Sequence, residues 1–118
     1  GIGPDLTVID TVDIIEINYV YDKATGNKRL SQVIFWEFKV YHGSFRVVDY
    51  RMLDAVNTRP RYDHRLKRWE LTWHDVANKC MRTVLASSFR ETQTRYDPEQ
   101  EDLEEWAISH RRRLTPPR

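Results

Sequence analysis

The chain has a single cysteine, Cys80, and only four glycines among its 118 residues. One cysteine can form neither an intrachain disulfide nor a thiolate metal cluster, and this favours a reducing, cytoplasmic location. The glycines stand at positions 1, 3, 26 and 43, too far apart for a glycine-rich phosphate-binding loop. We therefore expect no nicotinamide or ATP enzyme of the usual kinds, and no cofactor.

Long hydrophobic runs and a dominant charge are also missing. No run approaches the roughly 18 apolar residues that span a bilayer, and the N-terminus has no signal-peptide pattern, so we expect no membrane partner. The four histidines have no zinc-binding spacing, and no metal site is expected. Nineteen basic and eighteen acidic residues give a net charge of +1, which gives no argument for a nucleic-acid or membrane partner at the level of the whole chain.

What is present indicates one globular domain. The chain is 40% hydrophobic and 31% charged, a composition typical of folded proteins, and its length suits a single domain over residues 1–118. A start at Gly1 instead of Met suggests that residues 1–6 are disordered or a remnant of expression. Residues 115–118, which include two prolines, are expected to form a tail.

A β-hairpin is the clearest pattern in the chain. Residues alternate between two faces over Thr11–Tyr21 and again over Arg29–Tyr41, which is the period of a strand. The segment Asp22–Lys28 lies between them and supplies a turn, because Gly26 and Asn27 tolerate positive φ. Both faces of the first strand are largely apolar, so we expect it to be covered on both sides.

Three more strands and a helix follow. The strands are predicted at Phe45–Met52, Leu66–His74 and Cys80–Tyr96, with a loop at Leu53–Arg65 and a bend near Ser87. The resulting fold class is α+β: a five-stranded antiparallel meander sheet, curved or a half-barrel, closed by one C-terminal helix.

The predicted helix has a clear start signal. Asp97 is a good N-cap, Pro98 suits the first helical position, and Gln100 completes a capping box. Trp106 lies on the apolar side of this segment, and we expect it to anchor the helix on the sheet. The sequence does not say which face of the sheet the helix covers.

Polar residues inside the hairpin are the first candidate site. If Asp22 pairs with Lys28, Asn18 faces Gln32 and Glu16 faces Ile34. Cross-strand amides can bond each other, and a nearby carboxylate can hold a ligand donor. Glu16, Asn18, Gln32, Trp36 and His74 are therefore the predicted ligand-binding residues. A satisfied structural cluster explains the same pattern.

Trp73-His74-Asp75 ends the fourth strand. Histidine is the commonest general base, but neighbours on a strand point to opposite faces. His74 and Asp75 meet only if the turn bends them together. A hydrolase that uses Glu16 with His74 is a further hypothesis, and it requires the two side chains to be close in space. We predict no catalytic residue.

Basic residues between the third and fourth strands are the best nucleic-acid feature. The predicted contacts are Arg59, Arg61, Arg65 and Arg68, which can neutralise phosphates, with Tyr62 and Trp69 available to stack on bases. A solvated loop explains them equally well. Likewise, the alternating Arg90, Thr92 and Thr94 are read most simply as a solvent-facing strand surface.

Glu37-Phe38-Lys39 matches the (D/E)-x-K element of restriction-endonuclease-like nucleases, in which two acids bind Mg²⁺. Asp22 is the candidate for the first acid. Glu37 and Lys39 share a strand face, as that chemistry needs. No helix precedes the first strand, however, and Asp22 has the position of a turn residue.

Several segments together resemble a family of small uncharacterised proteins from planctomycete bacteria. They are Glu16-Ile17-Asn18, Tyr21-Asp22, Gln32-Val33-Ile34-Phe35, Trp73-His74-Asp75 and Arg90-Glu91-Thr92-x-Thr94-x-Tyr96-Asp97-Pro98-Glu99, within a likeness that covers residues 12–114. The resemblance implies a compact, intracellular bacterial domain and no known activity.

Two functional hypotheses follow. The first is a non-enzymatic binding or interaction module, with an unknown ligand or a protein as its partner and with aromatic residues lining a groove. The alternative is a nucleic-acid-associated protein, with a divergent metal-dependent nuclease as one form of it. The oligomeric state is not predicted.

Overall fold

The computed structural model describes residues 7–55 and 57–111, without the side chains of residues 44–49, 110 and 111. Within those residues the elements are β1 (Val8–Asp22), β2 (Lys28–Tyr41), β3 (Ser44–Leu53), β4 (Arg61–Asp63), β5 (Arg68–Asp75), β6 (Cys80–Ala86), β7 (Ser88–Tyr96) and α1 (Leu103–Arg111). This described part of the chain is mostly β with one short C-terminal helix. The expectations for residues 1–6 and 115–118 lie outside the described residues.

The opening hairpin has the predicted register over most of its length. Asn18 pairs with Gln32 and Glu16 pairs with Ile34. Because side chains alternate along a strand, this register puts the three predicted polar residues on one face of the sheet. The register shifts near the turn, where Lys28 pairs with Tyr21 instead of with Asp22.

Asp22 organises the turn of this hairpin. Its Oδ1 accepts hydrogen bonds from the backbone N–H groups of Ala24 and Thr25 at 2.8 and 3.1 Å. Its Oδ2 accepts one from the guanidinium of Arg29 at 2.7 Å. The Arg29 hydrogen bond, aided by the two backbone bonds, lowers the pKa of Asp22. Gly26, with φ +75°, completes the turn.

The strands form two open sheets, so the predicted single five-stranded meander is wrong. One sheet has the order β3-β2-β1-β7 and the other has the order β4-β5-β6. The predicted fifth strand is divided at Ser87, whose N–H and hydroxyl both donate to the carbonyl of Asp13, at 3.1 and 2.9 Å. Before this residue β6 pairs with β5; after it β7 runs parallel to β1. Ser87 is therefore where the chain changes sheets.

Residues 61–63 form a short strand in place of the predicted loop. In β4, Tyr62 lies opposite Trp69, with 5.3 Å between the ring centroids. Asp63 closes the turn into β5, because its Oδ1 accepts the N–H groups of Arg65 and Leu66 at 2.8 and 3.0 Å. Three residues are too few to show an alternation in sequence, which is why the pattern missed this strand.

The main hydrophobic core lies between the two sheets. We call the face of β1 and β2 that takes part in it the inner face, and the opposite face of the same sheet the outer face. The buried residues of this core are Ile15, Ile17, Val33, Phe35, Ala55, Leu71, Trp73 and Ala86. They come from both sheets and from the segment after β3, so each sheet supplies part of the same core.

The C-terminal helix packs on the outer face, at the end of the sheet near the hairpin turn. Trp106 is buried against Val20 and Tyr96, with 5.9 Å between the Trp106 and Tyr96 ring centroids. The role expected for Trp106 is therefore confirmed. Since Val20 and Glu16 share a face of β1, the helix lies on the same face as the polar residues of the hairpin.

The helix begins later than the Asp97 pattern predicts. Its cap is Asp102, whose Oδ1 accepts the N–H of Glu105 at 3.1 Å and whose carbonyl accepts the N–H of Trp106 at 2.8 Å. Asp97 closes a separate turn, in which its carbonyl accepts the N–H groups of Gln100 and Glu101. Both aspartates thus cap a turn, but only the second one precedes the helix.

Candidate functional site

Glu16 is a buried carboxylate at the centre of a polar network on the outer face. It is 1% exposed. Its Oε1 accepts hydrogen bonds from the indole N–H of Trp36 at 2.9 Å and from the guanidinium of Arg90 at 2.6 and 3.1 Å. Its Oε2 accepts the hydroxyl of Thr92 at 2.6 Å. Both oxygens are therefore bonded, and the ion pair with Arg90 compensates the buried charge.

Asn18 extends the network across three strands. Its Nδ2 donates to Oε1 of Gln32 at 3.1 Å. Its Oδ1 accepts the hydroxyl of Thr94 at 2.9 Å and lies 3.1 Å from the hydroxyl of Thr92. Asn18 and Gln32 are both buried. The cross-strand amide pair predicted from the sequence is present, and the threonines of β7 satisfy the rest of Asn18.

The structure brings together four of the five predicted ligand-binding residues and separates the fifth. Glu16, Asn18, Gln32 and Trp36 lie side by side on the outer face, and Trp36 also packs on Tyr50 with 5.2 Å between ring centroids. All four are at most 7% exposed. Their contacts are with one another and with neighbouring strands, which is the geometry of a structural cluster.

Three residues of β7 complete this network, and the sequence did not identify them as part of it. Arg90 pairs with Glu16, Thr92 with Asn18 and Thr94 with Val20 in the parallel ladder. The alternation did place them on one face, but they are half-buried and not solvent-facing. The missing information was the partner strand, since nothing local in β7 indicates that it pairs with β1.

His74 lies on the far side of the molecule from Glu16. Its strand neighbour Trp73 points into the core between the sheets, so His74 points away from that core, on the exposed face of β5. Glu16 points away from the same core on the other sheet. Two sheets therefore separate the side chains, and a hydrolase that combines them is excluded.

Asp75 faces the opposite way from His74, as strand geometry requires, and it belongs to a different group. Its carboxylate accepts hydrogen bonds from Asn78 and from the guanidinium of Arg82. These bonds lower the pKa of Asp75 to about 2. The group is a turn cap joined to an ion pair.

The predicted nucleic-acid residues occupy two environments. Arg61, Arg65 and Arg68 are exposed on the β4–β5 hairpin. Arg59 is also exposed, but its guanidinium donates to the Tyr19 hydroxyl at 2.6 Å and to the carboxylate of Glu91. Arg59 is therefore an anchor of its own loop, and the three arginines of the hairpin remain as the exposed basic group.

The nuclease-like triplet has a different acidic neighbour from the one predicted. Asp22 lies at the hairpin turn, but Glu37 pairs with Asp13, near the other end of β1. The two aspartates are nine positions apart along β1, about 30 Å. Burial raises the pKa of Asp13, and the charge of Arg68 opposes that rise. The acid that Glu37 faces across the hairpin is Asp13.

Two open clefts border the core between the sheets. The Arg82 cleft, about 300 Å³, is lined by residues of β3, β5 and β6, among them Arg51, Trp73, Asp75 and Arg82, and by Asp54 directly after β3. The Thr58 cleft, about 250 Å³, lies between the inner face and the loop after β3, with walls formed by Tyr19, Lys28, Ser31, Asn57, Thr58 and Arg59. Neither cleft could be predicted from the sequence, because the shape of each cleft depends on how the two sheets pack together.

Within residues 7–55 and 57–111, no group of three or more His, Cys, Asp or Glu side chains is placed to hold a metal ion. The helix in the same part of the chain is too short and polar to cross a membrane. Compared with family models, with curated proteins and with solved structures, the chain matches none of them. The planctomycete resemblance stays a prediction.

Proposed function

We propose that this chain is a non-enzymatic binding module that takes its ligand between the two sheets. The observation that carries the proposal is the pair of open clefts beside the shared core. Each cleft combines apolar core residues, such as Val33 or Trp73, with charged side chains, such as Lys28 or Arg82. An apolar floor with a few convergent polar groups is the usual composition of a ligand site.

The buried polar network supports this function indirectly. Glu16 and Asn18 join β1 to β2 and β7 by side-chain hydrogen bonds, which fixes the three strands relative to one another. The inner face of β1 and β2 contributes to the floor of the Thr58 cleft. A site built on a rigid sheet keeps its geometry without the ligand, which lowers the cost of binding. On this proposal the network is the support of the site.

Fragment binding observed by NMR tests the proposal. The ¹⁵N-labelled protein is titrated with a set of small aromatic compounds that are neutral, anionic and cationic. We expect shifts of backbone amides that line one of the two clefts. The amides of Asp10 and Thr11, which are exposed at the start of β1 and line neither cleft, are the internal reference. If no compound of any charge moves a cleft amide, the binding module is the wrong function.

A nucleic-acid-associated protein is the second candidate, and the β4–β5 hairpin favours it. Arg61, Tyr62, His64 and Arg65 line one depression of this hairpin, together with the acidic Asp63 and Glu70. The Tyr62 side chain is 40% exposed. Arginines beside an exposed ring are suited to phosphates and stacked bases. Arg68, on the same hairpin, is close enough to influence Asp13, which faces Glu37 across the opening hairpin. The nuclease form of this candidate would therefore use Asp13 in place of Asp22 as its first acid.

Binding of a single-stranded oligonucleotide at low salt separates this candidate from the first. Replacing Arg61 and Arg65 by Ala is expected to weaken binding and to reduce its salt dependence. Replacing Lys23 and Arg95, which are exposed elsewhere, removes the same charge and serves as the control. Equal losses in both double variants indicate an unspecific charge effect. If the oligonucleotide is cleaved in the presence of Mg²⁺ and Glu37→Gln abolishes this cleavage, the protein is a metal-dependent nuclease.

The cytoplasmic location expected from the sequence belongs to this proposal. Cys80 is exposed and forms no disulfide. A protein with such a free thiol suits a reducing compartment. Fractionation of the expressing cells tests it.

A further inference from the structure

We propose that the Thr58 cleft binds a small organic anion, a carboxylate carried on a short apolar body. This inference rests on the proposed function and names the ligand class of one of its two clefts. It is carried by the polar groups of the cleft walls, by their charge and by the apolar floor beneath them.

The walls of the cleft present hydrogen-bond donors. Lys28 and Ser31 come from β2, and Asn57 and Thr58 come from the loop that faces them. Asn57 has φ 55°, a left-handed conformation that asparagine tolerates better than most residues, and this turn brings Thr58 to the cleft. Lysine supplies only donors, each hydroxyl can supply one, and the amide of Asn57 can supply two.

Thr58 has an unused hydrogen-bonding group. Among the described residues, its Oγ1 is buried and has no hydrogen-bond partner. A buried hydroxyl without a partner destabilises the folded state, so such groups are uncommon in folded proteins. A ligand oxygen in the Thr58 cleft would accept a hydrogen bond from this hydroxyl. Binding would then give the Thr58 side chain the partner that it lacks without ligand.

The charge of the cleft is positive. No acidic side chain is among the described residues that line it. Arg59 is already paired with Glu91 at its rim, so the charge left for a ligand is the ammonium group of Lys28, 5.8 Å from the centroid of the Tyr19 ring. One uncompensated positive charge suits a monoanion better than a di- or triphosphate.

The floor and the volume limit the rest of the ligand. Ile17, Val33 and Ala55 form an apolar floor that continues into the core between the sheets. A volume of about 250 Å³ is below the usual range for drug-sized ligands. A carboxylate with a single ring or a short chain fits these limits, with its apolar part on the floor and its anionic group toward Lys28 and Thr58.

Titration with phenylacetate in low-salt buffer, followed by the backbone amides of Lys28, Ser31 and Thr58, tests the inference. Phenylacetamide, which has nearly the same shape and no charge, is the matched control compound. We expect phenylacetate to bind and phenylacetamide to bind about tenfold more weakly or not at all.

Two variants locate the interaction. Lys28→Met is expected to weaken the binding of phenylacetate about tenfold. Thr58→Val is expected to weaken this binding about fivefold. It should not destabilise the unliganded protein, because the Thr58 hydroxyl has no partner to lose. Lys23→Met removes the same charge from the turn, outside the cleft, and should leave the affinity unchanged.

The outcomes separate the inference from the function on which it rests. Equal affinity for phenylacetate and phenylacetamide, or binding that Lys28→Met does not change, overturns the anion assignment and leaves the binding module standing. Shifts confined to the Arg82 cleft also overturn it. If neither compound nor any other fragment moves a cleft amide, both proposals fail together.

Discussion

At the scale of single residues, the polar positions of the opening hairpin are explained by their partners on β7. Glu16 is 1% exposed, yet both its oxygens accept hydrogen bonds. Arg90 pairs with it while keeping a third of its own side chain exposed. A buried carboxylate is tolerable only with such compensation, so the outer face depends on a contact between residues that are far apart in the chain.

Removing Glu16 is therefore expected to be costly. Glu16→Ala leaves the guanidinium of Arg90 and the indole N–H of Trp36 without their acceptor, and we expect a loss of about 3 kcal/mol in the free energy of unfolding. Urea denaturation measures it. Glu91→Gln, next to Arg90 on β7 but in an exposed ion pair with Arg59, is the control and should change little. Equal losses in the two variants would contradict the buried network.

The lowered pKa of Asp75 predicts how the free energy of unfolding depends on pH. Hydrogen bonds from Asn78 and Arg82 lower its pKa from 3.8 to about 2. A lowered folded-state pKa stabilises the protein fully above the unfolded value, and this contribution is lost as the pH falls through the folded value. Asp75→Asn should therefore be less stable than the parent at pH 7, and the difference should shrink between pH 4 and pH 2. Urea denaturation at several pH values measures it.

A control for the acid experiment lies in the same cleft. Asp54 also lines the Arg82 cleft and is exposed. Asp54→Asn should follow the pH dependence of the parent more closely than Asp75→Asn does. A gap between Asp75→Asn and the parent that stays constant down to pH 2 would show that the carboxylate charge is not what stabilises this turn.

At the scale of elements, the helix shows where local signals mislead. Asp97 and Asp102 both precede segments of helical composition, and both accept backbone N–H groups. The first forms only an isolated turn, and the second caps α1. The difference lies in tertiary packing, because Trp106 must reach Val20 and Tyr96, and this contact sets where the helix begins.

The two aspartates give a paired test. Asp102→Ala is expected to cost about 1 kcal/mol, since it removes the side-chain acceptor for the N–H of Glu105. It should also speed amide exchange at Glu105 and Trp106. Asp97→Ala should leave exchange in the helix unchanged. If Asp97→Ala frays the helix and Asp102→Ala does not, Asp97 is the helix cap and Asp102 is not.

At the scale of the whole molecule, what could be predicted from sequence was local and what could not was pairing across the chain. The register that sets Asn18 opposite Gln32 follows from alternation and one turn. The parallel pairing of β7 with β1 joins residues such as Glu16 and Arg90, and no local pattern specifies it. The same pairing completes the polar network, so the partners of Glu16 could not be found before the fold was known.

The shared core predicts that the two sheets unfold together. Leu71 of β5 is fully buried among residues of both sheets, and Leu71→Ala is expected to cost about 2–5 kcal/mol by leaving a cavity there. Because the core is common, amide exchange should accelerate in β1 and β2 as much as in β5 and β6 when exchange occurs through global unfolding. Leu85→Ala, on the same sheet but 39% exposed, should have a much smaller effect. Faster exchange in β5 and β6 alone would mean that the three-stranded sheet opens independently, and then the clefts between the sheets would not keep a fixed shape for a ligand.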